Sequence, residues 1–215
     1  GIKAAAVVPT FICPSDSFPE GNPHRFSNSE SYGNTSYRAN GGTRPFYHTS
    51  STNDGMFMAT NTDARANGAP RGIAVRIKDV SDGTSKTILF ADSSHVDPNF
   101  NTFTDAGWNS GSTISTWSRW YPASNEKGMS NIMCGAFAPL NYKTPFVHGR
   151  APAPRSMTQW YQYQDQRLSA IGSEHPAGAN ISLADGSVRF LEETSPQEVL
   201  VAYCVRDDGA TVSAP

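Results

Sequence analysis

Ser173-Glu-His-Pro-Ala-Gly-Ala-Asn-Ile-Ser-Leu-Ala-Asp-Gly-Ser-Val-Arg-Phe-Leu191 is the stretch that decides how this chain folds. Ile181 and Leu183 alternate with Ser182 and Ala184, and Val188 and Phe190 alternate with Ser187 and Arg189. Alternation with period two marks strands with one buried face. Asp185-Gly186 lies between them, and this dipeptide suits a two-residue type I′ turn, whose central residues both take positive φ. That turn pairs Leu183 with Val188 and Ile181 with Phe190, with all four on one face. A shift of one residue would put that apolar set into water, so the register is expected to be well specified. Asp185 and Gly186 read first as turn formers.

A second organised unit precedes it. Ile73, Val75 and Ile77 alternate with Ala74, Arg76 and Lys78, which predicts a half-buried strand. Asp79-Val-Ser-Asp82-Gly83 predicts a tight turn, with Asp79 and Ser81 accepting bonds from nearby backbone N–H groups. Thr87 to Ala91 is nearly all apolar and predicts a central return strand. Upstream, Ala4 to Val8 reads as the tail of a helix, and Thr10 to Cys13 as a short strand. Residues 17–55 are loop-like, with a short edge strand at Tyr37 to Asn40. Downstream, Ser195-Pro-Gln-Glu-Val-Leu-Val-Ala-Tyr-Cys204 predicts a short helix. Ser195 is its N-cap, Glu198 completes a capping box, and Leu200, Tyr203 and Cys204 form its inner face.

These stretches carry a resemblance. His175, nine residues, then Asp185-Gly186 is similar to the C-terminal signature of a pseudopilin-like family of unknown function, abundant in planctomycete-type bacteria. Val8-Pro-Thr-Phe-Ile-Cys-Pro-Ser-Asp16 resembles its early segment. Ile77 to Asp92 resembles its central segment, where the last residue is more often Glu. The resemblance implies an α+β fold: a type IV pilin-like antiparallel sheet head with a prepilin-type N-terminus, meaning a basic leader, a processing site and one long apolar helix. Gly1 to Val8 holds only a short apolar run, so the chain is expected to be the soluble head of a longer protein, with that helix missing or truncated. The helix would pack across the sheet and be the only membrane contact. Under this resemblance His175, Asp185, Gly186, Asp82 and Gly83 are family signature residues with structural roles.

Length and composition set bounds. The 215 residues suit one domain, 1–215. With 37% hydrophobic and 17% charged residues, 18 glycines and 15 prolines, a core can form but much of the chain must be loop. No apolar run approaches the roughly 18 residues of a membrane span. A net charge of −2 without a Lys/Arg cluster argues against nucleic acid as a partner. Low charge with many small polar residues fits an extracellular, surface or periplasmic setting. Cys13, Cys134 and Cys204 include no Cys-x-x-Cys pair. One disulfide with a leftover thiol, or three buried thiols, both stay open.

Residues 93–170 read as a loop-rich insertion holding all four tryptophans, with short strands near Thr113 to Arg119 and Gln159 to Tyr163. Trp117, Arg119, Trp120 and Tyr121 form one group, and Trp160, Tyr161 and Tyr163 another. Flat rings beside Arg, Asn and Gln suit sugars, so these residues are candidate polysaccharide contacts. The competing reading makes them the insertion's own core. No nucleophile elbow, zinc-protease motif or phosphate loop is present, so no enzyme is expected and no catalytic residue is assigned. His175 precedes Pro176 and is extended; its ring is expected to bond a backbone carbonyl and pin the loop, with a metal or ligand contact, or catalysis, as the alternatives. No cofactor is expected. Calcium stays open at turn oxygens such as Asp79, Asp82, Asp92, Asp185 and Asn180, without an Asp-x-Asp-x-Asp-Gly loop to hold it.

Two functions follow. One is a non-enzymatic exported surface protein, the head of a pseudopilin-like fibre or type II secretion-like subunit, with other pilin-like subunits or copies of itself as partners. The alternative is an extracellular glycan- or solute-binding module.

Overall fold

The computed structural model describes residues 3–45, 51–58, 74–105, 107–108, 113–120 and 130–210. It is an α+β structure. Its main sheet contains β3 (Tyr37–Asn40), β4 (Ile88–Asp92), β5 (Met133–Cys134), β6 (Gly178–Leu183) and β7 (Val188–Glu192), in the order β5-β3-β4-β6-β7. All pairs are antiparallel except β5 with β3. A separate ribbon joins β1 (His24–Arg25) to β2 (Ser31–Tyr32). Among the described residues three α-helices complete the fold: α1 (Pro98–Asp105), α2 (Met157–Ser169) and α3 (Gln197–Cys204).

The hairpin forms, but in a different register. Ser182 pairs with Val188, Ile181 with Arg189 and Asn180 with Phe190. The loop has three residues, Ala184 to Gly186, and Gly186 N–H closes a turn on Leu183 O at 2.9 Å. Only Gly186 takes positive φ (+86°), so this is the turn with a bulged glycine rather than the type I′ pair. Asp185 Oδ1 accepts from Ser187 N and Oγ, which holds the chain in that longer loop. The consequence is large. Ala179, Ile181, Leu183 and Leu191 face the core, while Val188 and Phe190 turn outward and stand 68% and 43% exposed.

The inner face of the sheet packs under α3. Ile88, Ala91, Ile181 and Leu183 meet Leu200, Tyr203, Cys204, Cys134, Leu140 and Ile171 in one core. The inner face expected for α3 is the one observed. Its start differs: Pro196 is the cap, and its ring offers no acceptor to the first turn. β4 lies between β3 and β6, as an apolar strand should. β3 is no edge strand, because β5 pairs beyond it.

Several predicted strands are absent. Ile73 lies outside the described residues, residues 74–76 are irregular, and Ile77–Asp79 is a 3-10 turn with Ile77 67% exposed. The Asp79 carboxylate bonds Arg76 through both its backbone N and its guanidinium, which bends the chain away from a strand and holds the Asp79 pKa at about 2. Thr10 to Cys13 contributes to a 3-10 turn at Pro9–Phe11, and Ala4 and Ala5 to another at Lys3–Ala5.

Residues 93–170 are more regular than their composition suggests. Asp97 Oδ1 accepts Phe100 N at 2.9 Å and starts α1. Ser156 Oγ accepts Gln159 N and starts α2, so Gln159 to Tyr163 is helix and not strand. Thr113 to Arg119 is also no strand: Ile114–Trp117 is a 3-10 turn. Phe100, Phe103, Ile114, Trp160 and Leu168 make a second core, with Trp108, Trp117 and Phe146 against it. Trp160 stacks on Phe103 with centroids 4.3 Å apart.

Candidate functional site

Residues from three separated stretches, Cys13, Asp92 and His175, converge at one end of the sheet. The loop into β6 is built by Ser173, whose Oγ donates to Gly178 O and accepts His175 N. This sets the His175 ring over the end of β4. His175 Nε2 lies 3.4 Å from Cys13 Sγ and 3.8 Å from Asp92 Oδ2. The expected bond from this ring to a backbone carbonyl is not the contact found: a thiol and a carboxylate face it instead.

Asp92 ends β4 and is buried. Its Oδ2 accepts Asn180 N at 2.7 Å and Asn180 Nδ2 at 3.2 Å, and its Oδ1 has no partner among the described residues. Burial raises its pKa above the ordinary carboxylate value. The Asn180 bonds and the His175 charge oppose that shift, and Asp16 reinforces it. Tyr37 pairs with Asp92 across the strands, and burial together with Cys13 raises its phenol pKa.

A second buried pair lies alongside. Asp16 Oδ2 is 2.6 Å from His95 Nδ1 and accepts Ser36 Oγ at 2.7 Å, while His95 Nε2 lies 3.0 Å from Ser118 O. Both ring nitrogens face oxygen acceptors, so the two bonds coexist only with a hydrogen on each nitrogen or on the carboxyl. Beyond it, Asp97 Oδ2 pairs with Arg167 Nε at 2.8 Å, and Lys143 Nζ reaches Glu174, Ser94 and Val96. Asp16, His95, Asp97 and Arg167 escaped the sequence reading. The Pro14-Ser-Asp16 turn was the one visible signal, since a turn carboxylate facing inward needs a partner.

The two Asp-Gly turns are positioned by their own carboxylates. Asp82 Oδ2 and Oδ1 accept Asp208 N and Gly209 N, both at 2.8 Å, so the turn at Asp82-Gly83 clamps the segment after α3. Asp185 N donates to Thr84 O, which joins one turn to the other. The bonds from Ser187 lower the Asp185 pKa.

The aromatic candidates do not form one surface. Trp160 is wholly buried, so it offers no face to a ligand. Trp117 packs on the same core. Trp120 Nε1 donates to Ala6 O at 2.8 Å. Arg119 lies 4.1 Å over the Tyr32 ring and 5.6 Å from that of Phe26. Tyr161 is exposed on α2, and Tyr121 lies outside the described residues.

The chemistry available at His175 is limited by its geometry. Cys13 and Asp92 approach the same ring nitrogen. A thiol relay needs the carboxylate on the opposite nitrogen, orienting the base. All three cysteines are free and buried, and burial pushes Cys134 up to about 11. Among the described residues, no group of three or more His, Cys, Asp or Glu side chains could hold a metal ion.

An α+β domain whose buried polar locus gathers its three sequence signatures is the class defined by fold and site. The chain belongs to the family described as a protein of unknown function, DUF1559, whose model matches residues 2–198. No curated protein and no solved structure matches it.

Proposed function

We propose that this chain is the exported, non-enzymatic head of a pseudopilin-like surface subunit, one that assembles with pilin-like partners. The open face of the sheet carries this reading. A sheet face left to water is ordinarily polar. Here Tyr37, Phe90, Val188 and Phe190 are all exposed on it, and Phe57 adds a ring 5.3 Å from Phe90. Register aligns Phe90, Ser182 and Val188 in one row, and the Phe190 ring lies against Gly178. A face this apolar favours a covering element. The long apolar N-terminal helix of a pseudopilin-like subunit, which anchors it and packs on its head, would serve. No helix among the described residues is long and apolar enough to cross a membrane.

The buried locus supports the non-enzymatic part. Its carboxylates and imidazoles mostly bond one another and the backbone, which suits a clamp that fixes the loop ends to the sheet.

The test is antibody labelling of cells that make the full gene product. Labelling of intact cells, with the protein in the membrane fraction, is expected. Labelling only after permeabilisation would sink the proposal.

A further inference from the structure

A pocket of about 650 Å³ opens at the start of α2, away from the His175 locus. Phe146, Arg150, Arg155, Gln159 and Tyr163 line it, with the turn Gly149 to Ala153 between. The order of chemistry around it is unusual for this chain. The net charge is −2, yet among the described residues two arginines line one pocket and no acidic residue does. Among the described residues, neither Arg150 nor Arg155 has a side-chain hydrogen bond or an ion pair.

Local structure fixes the backbone of both arginines. Arg150 closes a turn by donating its N–H to Val147 O, and Gly149 takes φ +75° there. Arg155 directly precedes the Ser156 cap, and its N–H donates to Gln159 Oε1 at 2.7 Å. Gln159 and Tyr163 stand one helical turn apart on the same face of α2. Tyr163 meets Phe146 edge-on, centroids 4.4 Å apart. Two arginines, an edge-on aromatic pair and an amide therefore line one pocket. Guanidinium groups bind carboxylates and sulfates through paired N–H bonds, and ring faces bind the C–H faces of sugars.

We infer that this pocket binds an acidic saccharide, with Arg150 and Arg155 on its carboxylate or sulfate and Tyr163 and Phe146 against its ring. The inference stands on different residues from the proposed surface role and neither requires the other. It also replaces Trp117 and Trp160, which are packed in a core, as the place where sugar is recognised.

Isothermal titration calorimetry of the intact chain tests it. The probes are trigalacturonate, its fully methyl-esterified form, and a sulfated galactose trisaccharide. Binding of one or both anions, weakening with added salt, and none of the ester is expected. The tighter of the two anions identifies the group recognised. Arg150→Gln and Arg155→Gln should each weaken binding about tenfold. Both residues are exposed and have no side-chain partner among the described residues, so both variants should keep the parent's thermal unfolding. Silence with both anions overturns the inference. So does equal binding of the ester, or affinity that survives both substitutions.

Discussion

Replacing Asp97 by Asn should cost this protein a large share of its stability, although the two residues have the same shape. Asp97 Oδ2 accepts Arg167 Nε at 2.8 Å, Thr144 N at 2.9 Å and Thr144 Oγ1 at 3.2 Å. Both charged side chains are almost fully enclosed. Asn keeps the cap on Phe100 N, so the start of α1 survives. What it loses is the charge opposite Arg167, whose other bond is to Ser94 O at 3.1 Å, and the Oδ2 acceptor of Thr144 N and Oγ1, since an amide nitrogen cannot accept. Leaving one member of a buried pair uncompensated costs about 3–5 kcal/mol. Asp97→Ala adds loss of the cap, about 1 kcal/mol. Arg167→Met removes the other charge, and Asp97 then keeps three neutral donors, so a cost of about 2–3 kcal/mol is expected. The double variant Asp97→Asn/Arg167→Met strands no charge. It should be more stable than the sum of the singles by about 2 kcal/mol or more. Urea unfolding followed by tryptophan fluorescence reads all four proteins. Additivity within about 0.5 kcal/mol would refute the claim that these groups pair in a low-dielectric interior.

Other outcomes follow from single sites. Trp160→Ala opens a hole between Phe100, Phe103 and Leu168 and should cost about 3–5 kcal/mol in the same urea assay, whereas Tyr161→Ala, on the exposed side of α2, should cost under about 1. Gly186→Ala meets no neighbouring atom, so only its φ of +86° resists, and a loss of about 1–2 kcal/mol is expected. Gly178→Ala would drive a carbon into Leu191 O and should lower the melting temperature more than Gly186→Ala. The pKa of Asp92 is raised in the folded state, so folding favours its proton. Stability should therefore fall as pH rises from the unfolded value through the folded one, and that fall should vanish in Asp92→Asn, read as urea midpoint against pH. In the native protein Cys134 should resist an aromatic disulfide reagent at pH 8, since burial holds its thiol at about 11, and labelling as fast as in urea would contradict that environment.

The main sheet was largely legible. The apolar run around Leu89 and the period-two run around Ile181 became β4 and β6, and the apolar side of α3 faces the core. The hairpin loop was not, because Asp-Gly serves both a two-residue turn and a three-residue turn ending in glycine, and the choice lies with Asp185 and Ser187. α2 was hidden for a different reason. Its buried side includes Gln164, Asp165 and Arg167 beside Trp160 and Leu168, so polar residues interrupt the helical repeat that an apolar face would show. The site was half visible. His175 and the two Asp-Gly turns stood out, while Asp16, His95, Asp97 and Arg167 sit in loops or a polar helix whose partners lie 70 or more residues away.

The connectivity of the sheet has a bearing on biosynthesis. β4 ends at Asp92, yet β6, the strand it pairs with, begins at Gly178. A ribosome adding ~5–20 residues per second needs about 4–17 s to make the intervening chain. During that interval β4 has one flank unpaired, and the apolar inner side of the sheet lacks α3. The nascent protein is therefore most open to wrong pairing while its aromatic middle third is being made. A chaperone or export factor that holds Ile88 to Ala91 would act in that window, and its hold would end when the final hairpin emerges.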